Sequence, residues 1–481
     1  MLLRDIIKGI EILDIKGSLD IEISNIEFNS RKVTENTLFV CIKGFSVDGH
    51  DYIESAIKSG AIAFLVEEDI EIEGYTFIKV KNTRCDMAKI SCNFFDNPSS
   101  KMDVIGVTGT NGKTSITTFL SEILSGINKV GIVGTIKIFD GDKEIESKNT
   151  TPESIDLQRN FDKMVRNNCK NCVMEVSSHS LVLNRVDNTD FKIGIFTNLT
   201  PDHLDFHKDL EDYKNAKEKL FYKTSLKNII NIDDDGGKKI YENIKNLKTS
   251  VYTYGIDNNA DFMAKDIKIL PEGISYKLIT PTYEENIFVP VSGKFTVYNA
   301  LAVIATCYSL GIDKDYLIKK LRNINGVSGR FESVVNNKNK NIIVDYAHTP
   351  DALENVINTA REFTKGKVIT VFGCGGDRDK TKRPLMGKIA SDLSDFTIIT
   401  SDNPRTENQE NITKDILKGI TKNNYEVIED RKEAIKKAII MSNERDIVLI
   451  AGKGHENYQI IGNEKTHFDD KEEAIKILNT L

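Results

Sequence analysis

Proline is scarce in this sequence, 9 in 481 residues, and there is no tandem repeat or long low-complexity tract. That composition excludes a collagen-like or disordered chain. Cysteine is also sparse, and its count is odd: seven (Cys41, Cys85, Cys92, Cys169, Cys172, Cys307 and Cys374) are spread along the chain. Such usage is not a disulfide scaffold and reads as reduced thiols. The single Cys-X-X-Cys, Cys169 to Cys172, lacks a second pair and reads as core edge rather than zinc or redox chemistry. No apolar run approaches the ~20 residues of a membrane helix. The opening MLLRDIIKGI meets charge at Arg4, Asp5 and Lys8 before a signal-type core forms. We therefore expect a cytoplasmic protein with no membrane insertion. Positive charge is not in excess either: 65 basic and 72 acidic residues leave a net −7. Nothing here supports nucleic-acid binding.

What is present is an ordinary globular composition, 40% hydrophobic and 28% charged. At ~150 residues per domain the length suggests about three domains. Residues 1–100 mix short β-like runs (Thr37–Ile42, Ala61–Val66, Tyr75–Val80) with helical stretches. Residues 101–328 open with the apolar run Asp103–Val107, followed by Gly109-Thr-Asn-Gly-Lys-Thr and a helix with Ile116, Phe119, Leu120, Ile123 and Leu124 on one face. Val130–Val133, Cys172–Val176 and Ile193–Thr197 are further strands alternating with helices. In residues 329–481 the strands Ile342–Asp345, Val368–Phe372, Phe396–Thr400 and Ile447–Ile450 alternate with helices again. The expected fold class is α/β: a small α/β head, a central P-loop-type domain with a helix-wrapped parallel sheet, and a C-terminal Rossmann-like domain.

The central segment Gly109-Thr110-Asn111-Gly112-Lys113-Thr114-Ser115 carries phosphate chemistry. Its glycines let backbone N–H groups close around phosphate oxygens, Lys113 adds positive charge, and Thr114 can offer a hydroxyl to Mg²⁺. The general Walker pattern wants a first Gly where this chain has Val107; glycines stand at 106 and 109 instead. We expect an ATP site. Two more segments fall at strand ends, Glu175-Val-Ser-Ser-His179 and Thr197-Asn-Leu-Thr-Pro-Asp-His203-Leu-Asp205. Glu175 and His203 could ligate a divalent ion bridging phosphate and a carboxylate substrate.

In Asp209–Tyr222 a helical stripe of Leu210, Tyr213, Leu220 and Phe221 also carries Lys217, while Lys214, Glu218 and Lys219 are expected to point elsewhere. Lys217 is either a snorkelling lysine or one turned inward for chemistry. Keeping an amine neutral at pH 7 against an ordinary pKa of about 10.4 costs about 4.6 kcal/mol. Reaction with CO₂ would instead give a carbamate anion that Mg²⁺ can hold. Periodicity leaves both readings open.

The set GTNGKTS, EVSSH, TNLTPDHLD and YKNAKEKLF resembles the Mur ligases, ATP-dependent amide-forming enzymes of peptidoglycan precursor synthesis. The resemblance runs over essentially the whole chain. It implies a carbamylated Lys217 and magnesium ligands at Thr114, Glu175, His203 and the Lys217 carbamate, with two Mg²⁺ sites. In the head, Phe28-Asn-Ser30-Arg and Gly44-Phe45-Ser46-Val47-Asp-Gly-His50 resemble the uridine-binding segment of the MurE type. That match implies contacts of Ser30, Phe45, Ser46 and Val47 with the UDP part of the substrate. Asn149, Thr150, Thr151, Ser177 and Arg185 match further substrate contacts; Leu183 stands where some MurE enzymes have Gln and is left out. Asn299 matches the adenine-side Asn, and Arg330, Asp345 and His348 match positions that meet the nucleotide on closure.

Gly373-Cys-Gly-Gly-Asp-Arg378 follows a strand, but Arg378 replaces the third glycine of a dinucleotide fingerprint, which argues against that site. Asp402-Asn403-Pro404-Arg405 resembles the signature of relatives that add meso-diaminopimelate, and Arg378, Gly452 and Glu456 match the same pocket, with Glu456 facing an ammonium. A guanidinium pairs bidentately with a carboxylate, and meso-diaminopimelate carries one more carboxylate than lysine. The expected reaction is ATP-dependent addition of meso-diaminopimelate to UDP-MurNAc-L-alanyl-D-glutamate through an acyl phosphate, by a monomer with no nucleic-acid partner. Alternatives are a lysine-adding ligase, a folylpolyglutamate synthetase (which lacks a uridine-binding head), and a catalytically dead nucleotide-binding regulator.

Overall fold

The computed structural model describes residues 1–44, 47–147, 149–270 and 272–481. Three α/β units follow one another, each on its own sheet. The head sheet is five-stranded, ordered Ile12–Lys16, Thr76–Val80, Ala61–Val66, Thr37–Val40, Asn25–Glu27; only the edge strand Ile12–Lys16 is antiparallel. The Ala61–Val66 run is buried along nearly its whole length, which suits a strand covered on both faces.

The central sheet has eleven strands. Around Asp103–Thr108 lie Asn171–Glu175 and Val130–Val133 on one side and Phe191–Phe196, Thr224–Asn231 and Ser250–Gly255 on the other, all parallel. The expected parallel sheet is therefore present, but antiparallel strands extend both edges. Lys137–Phe139 and Glu144–Glu146 continue one edge; Phe262–Leu270 enters parallel at the other, and Gly273–Ile279 and Glu284–Val289 fold back on it. The helix Lys113–Ser125 buries Ile116, Phe119, Leu120, Ile123 and Leu124 as their spacing predicts, packing beside the nearly all-apolar helix Lys294–Ser309. The third sheet runs Glu332–Ser333, Asn341–Asp345, Ile447–Ala451, Val368–Phe372, Phe396–Ile399, Tyr425–Val427, parallel except at its first strand.

One helix departs from its sequence reading. In Leu210–Glu218, Tyr213 and Lys217 are buried as the stripe implies, but Lys214 and Glu218 are buried too, and Leu210 is 39% exposed. The neighbouring helix Asp235–Ile244 covers a second face. Asn243 there donates to both Glu218 carboxylate oxygens at 2.9 and 3.1 Å, and Lys214 is ion-paired to Glu211 and Glu218. A single-stripe reading cannot see a second packing partner. All seven cysteines are free thiols, and six are buried, including Cys169 and Cys172. No helix among the described residues is long and apolar enough to cross a membrane.

Candidate active site

Parallel strands deliver their chemistry at their C-terminal ends. Asp103–Thr108 runs into Gly109, whose φ of +147° and tight packing require glycine: a Cβ there would sit 1.8 Å from Thr197 Oγ1. Gly112, at φ +87°, precedes the helix Lys113–Ser125 and aims that N-terminus into the cavity above it. The loop is held from behind, since Asn111 N–H donates to Asn198 Oδ1 at 2.8 Å and Thr197 Oγ1 donates to the Asn111 carbonyl at 2.6 Å. Lys113 Nζ donates to the carbonyls of Gly109 and Thr110 at 2.9 and 2.8 Å, and burial lowers its pKa.

Glu175 ends its strand with 1% of its surface exposed. Its Oε1 accepts from Thr114 Oγ1 at 3.1 Å and Thr135 N–H at 2.9 Å, and its Oε2 accepts from Thr135 Oγ1 at 2.9 Å. A carboxylate offers about four acceptor positions, so three bonds leave room for a cation beside the Thr114 hydroxyl. Hard oxygen donors of this kind suit Mg²⁺. His203, at φ +55°, is 3.5 Å from the Asp202 carboxylate, and burial pushes its pKa down to about 4. Its neutral imidazole is the form that can ligate a metal.

Lys217 lies behind the phosphate loop. Its ammonium is 2.8 Å from the Gly109 carbonyl and 4.1 Å from the Tyr213 ring centroid, with 1% of the residue exposed. Burial first, then the nearby Lys113 charge, hold its pKa well below the usual lysine range. The inward orientation is therefore met, and snorkelling is excluded.

Two cavities open from these strand ends. The first, about 530 Å³, is lined by Thr110 to Ser115, Glu175, His203, Asn299, Arg330, Asp345 and His348. It thus gathers every residue assigned to ATP except Gly109, which lies in the loop beneath. The second, about 1060 Å³, gathers Asn149, Thr150, Thr151, Ser177 and Arg185 from the central unit with Arg378, Asp402, Asn403, Arg405, Gly452 and Glu456 from the third. Both share Thr135, Thr150, Asp202, His203, Tyr346 and His348. Ser30 and Val47 line neither cavity, nor does Pro404; Phe45 and Ser46 lie outside the described residues.

The third unit is pinned to the second by polar contacts. Asn111 Nδ2 donates to Asp351 Oδ2 at 2.9 Å, and Arg330 Nη2 reaches Thr114 Oγ1 at 3.4 Å while its guanidinium stacks 4.5 Å from the Tyr346 ring centroid. Asp345 accepts from Phe331 and Ala347 N–H groups at 2.6 and 2.7 Å, fixing the chain that carries Arg330. Burial lowers the His348 pKa to about 4, and its Nδ1 lies 2.8 Å from the Tyr346 carbonyl.

Around the amino-acid motif, fully buried Arg431 pairs with Asp470 at 2.7 Å and also donates to the carbonyls of Ser401 and Ala451. It thereby ties together the two strand ends that lead into Asp402–Arg405 and Gly452–Glu456. Asn403 donates to Glu456 Oε2 at 2.8 Å and accepts from Ile460 N–H at 2.9 Å, so it orients Glu456. Burial and the Asp402 charge raise the Glu456 pKa. Arg405, at φ +51°, donates from Nη1 to the Gly376 carbonyl at 2.8 Å.

Sequence reading missed Thr135, Asp202, Tyr346, Lys382, His455 and Tyr458 as cavity residues, and it set Leu183 aside although that residue lines the second cavity. Thr135 carried one usable signal, its place just beyond the strand Val130–Val133.

Residues 107–307 match the Mur ligase middle domain, residues 329–454 the Mur ligase glutamate ligase domain, and residues 22–93 the Mur ligase family catalytic domain. The chain belongs to the Mur ligase family. This Mur ligase is 65% identical to the UDP-N-acetylmuramoyl-L-alanyl-D-glutamate–2,6-diaminopimelate ligase of Clostridioides difficile (strain 630), over 100% of both chains. It is 51% identical to the enzyme of that name from Alkaliphilus metalliredigens (strain QYMF), over 98% of this chain and 96% of the other. A solved structure of a UDP-N-acetylmuramoyl-L-alanyl-D-glutamate–2,6-diaminopimelate ligase superposes with a TM-score of 0.71 at 30% identity, covering 100% of this chain and 99% of that one. The phosphate loop, the Glu175 cluster and the Asp402–Arg405 loop are thus parts of a Mur ligase built to join a carboxylate and an amine.

Proposed function

We propose that this Mur ligase adds meso-2,6-diaminopimelate to UDP-N-acetylmuramoyl-L-alanyl-D-glutamate with cleavage of ATP to ADP and phosphate. The observation that carries the reading is the shared wall of the two cavities, which lets a carboxylate in one meet a phosphoryl group in the other. The name and full-length coverage of the relatives support the same substrates. The functional units are residues 1–100 for the uridine nucleotide, 101–328 for ATP and the acceptor, and 329–481 for the amino acid. The enzyme works in the cytoplasm as a monomer.

The acceptor carboxylate attacks the γ-phosphorus, ADP leaves, and an acyl phosphate forms. The diaminopimelate amine, freed of its proton, attacks the acyl carbon, and phosphate leaves from the tetrahedral intermediate. Loop N–H groups and Lys113 orient the phosphates. Thr114, Glu175, His203 and a carbamate on Lys217 would hold two Mg²⁺ ions, which neutralise charge on the transferred group. The lowered Lys217 pKa supports carbamylation, because only the neutral amine combines with CO₂, releasing one proton. Asn299 lies on the adenine side, while Arg330, Asp345 and His348 close over the nucleotide. Ser30, Phe45, Ser46 and Val47 contact the uridine portion, and Asn149, Thr150, Thr151, Ser177 and Arg185 the sugar and peptide. Arg378, Asp402, Asn403, Pro404, Arg405 and Gly452 surround the amino acid, with Glu456 on its ammonium. Closure of the units excludes water from the acyl phosphate.

The test is phosphate release by purified protein with ATP, the UDP-dipeptide and either meso-diaminopimelate or L-lysine. Turnover should require all three components and run with meso-diaminopimelate. Turnover with lysine alone, or ATP cleavage indifferent to the UDP-dipeptide, would overturn the assignment.

A further inference from the structure

Residue 153 breaks a local rule. It is the N-cap of the helix Ser154–Arg166, where Ser, Thr, Asp or Asn normally accepts a bond from the first helical turn, yet it is a glutamate whose side chain makes no cap bond. The helix start is left unserved on its side-chain side, and the adjoining Ser154 hydroxyl is buried without a partner. A residue that gives up its local role has its interactions elsewhere.

Those interactions are two arginines. Glu153 Oε2 lies 2.8 Å from Arg84 Nη1, and Glu153 Oε1 lies 2.8 Å from Arg185 Nη2. The three side chains are only 13–17% exposed, so solvent screens these pairs weakly. Arg84 belongs to the helix Thr83–Phe94 of the head unit, whereas Arg185 lines the acceptor cavity. Arg185 Nη1 also donates to the Thr151 carbonyl at 3.1 Å, and the Thr151 hydroxyl donates to the Glu175 carbonyl at 2.9 Å. The Arg185 Nε is buried and unpartnered.

We infer that Glu153 is a positioning residue for acceptor binding: its carboxylate spans Arg84 and Arg185, fixing the Arg185 guanidinium in the acceptor cavity and tying that guanidinium to the head unit. The inference rests on the reading of Arg185 as a contact to the UDP-dipeptide. Without the carboxylate the two guanidiniums face each other uncompensated, and Arg185 loses its anchored geometry. Among the described residues the ion pairs of Glu153 go to Arg84 and Arg185 and not to the phosphate loop or the Asp402–Arg405 loop, so its main effect falls on the acceptor.

The experiment is steady-state kinetics of Glu153→Gln, Arg185→Ala and the double variant, with KM measured separately for the UDP-dipeptide, ATP and meso-diaminopimelate. Glu153→Gln should raise KM for the UDP-dipeptide about 10- to 100-fold, the scale of a lost charge-assisted hydrogen bond, with the other two KM values within about threefold. In the Arg185→Ala background the same substitution should add almost nothing, and Glu153→Asp should recover part of the loss. An unchanged KM in Arg185→Ala would overturn the reading of Arg185. A raised KM in Arg185→Ala with none in Glu153→Gln, or fully additive effects, would overturn the role of Glu153. If Glu153→Gln fails to fold, Arg84→Ala, which frees the same carboxylate from the head, should show the smaller KM rise, and no rise there also overturns the proposal.

Discussion

Replacing Arg405 with alanine isolates the contribution of one guanidinium to the choice of amino acid. The backbone at this residue is held independently of its side chain: the Arg405 N–H donates to the Ile460 carbonyl at 3.1 Å and its own carbonyl accepts from Gly462 N–H at 2.7 Å. Its φ of +51° strains arginine and alanine alike, so Arg405→Ala changes the side chain with little backbone effect, which Arg405→Gly would not. The guanidinium makes one hydrogen bond among the described residues, to Gly376, and lines the second cavity, so its remaining donors are available to a ligand there. Charge-assisted bonds are worth about 1.5–3 kcal/mol each, and a carboxylate left unpaired in a closed site raises the loss to about 3–4 kcal/mol. That is about 10²- to 10³-fold in kcat/KM. The assay is phosphate release with saturating ATP and UDP-dipeptide, varying meso-diaminopimelate or L-lysine. Arg405→Ala should lose this factor with meso-diaminopimelate and change by under about threefold with lysine, whose side chain has no distal carboxylate. Arg405→Lys should fall between, since an ammonium keeps the charge but not the fork. Equal loss with both amino acids would make Arg405 structural rather than selective and overturn its assignment to the distal carboxylate.

Lys217→Ala should lower kcat about 10³-fold or more, the several kcal/mol expected when an anionic ligand to catalytic magnesium is lost, with partial rescue by bicarbonate together with a short carboxylic acid; retained activity would count against carbamate chemistry. Glu407→Gln should destabilise the protein by about 2–3 kcal/mol at pH 7, somewhat less than a fully buried pair, because Arg383 is 1% exposed and bonded to Glu407 at 2.9 and 3.1 Å but keeps Asp415. The Arg383 hydrogen bond pulls the Glu407 pKa down to about 2 from an ordinary 4.5, so its stabilisation is complete above pH 4.5 and lost as pH falls toward 2. Urea midpoints of the two proteins should therefore differ clearly at pH 7, draw together as pH falls below 4.5 and meet only toward pH 2; a constant gap would contradict that linkage.

The parts of the site legible in the sequence are those encoded within one short segment. Gly109–Ser115 follows its strand directly, and Val130–Val133 and Val368–Phe372 occur with the ends their apolar runs imply. Asp402–Arg405 was legible through family resemblance together with carboxylate chemistry. Contacts between distant segments were not. Asn111 and Asp351 are 240 residues apart, and Arg330 and Thr114 are 216 apart, so no periodicity links them. The strand Phe262–Leu270 escaped notice because Lys265, Asp266 and Lys268 are exposed and its register shifts between Lys265 and Lys268, which breaks the alternation that marks a strand. Glu153 was invisible for a related reason: a glutamate before a helix reads as a favourable charge, and only the structure shows its carboxylate turned away from that helix.

The contacts that hold the third unit against the second bear on how the proposed closure would be reversed. Most are polar: an amide on a carboxylate, a guanidinium on a hydroxyl, and exposed Lys465 near Glu146, beside one edge-on aromatic pair, Phe295 and Phe331, with ring centroids 6.1 Å apart. Each contributes about 1 kcal/mol at most after desolvation. Burial raises the Asp351 pKa, so the carboxylate at this joint is itself penalised by closing. A joint assembled from such terms stays closed only while something bridges it. In the proposed reaction ATP would meet Lys113 from the central unit and Arg330 at the start of the third, which line one cavity. In that reaction the acceptor would meet Arg185 from the central unit, and the amino acid it is joined to would meet the Arg405 loop across the same cavity. The substrates are then the principal cross-links between the units, and after phosphate and ADP depart the weak polar joint can open to release product. A large apolar joint would have excluded water equally well but would have held the product in.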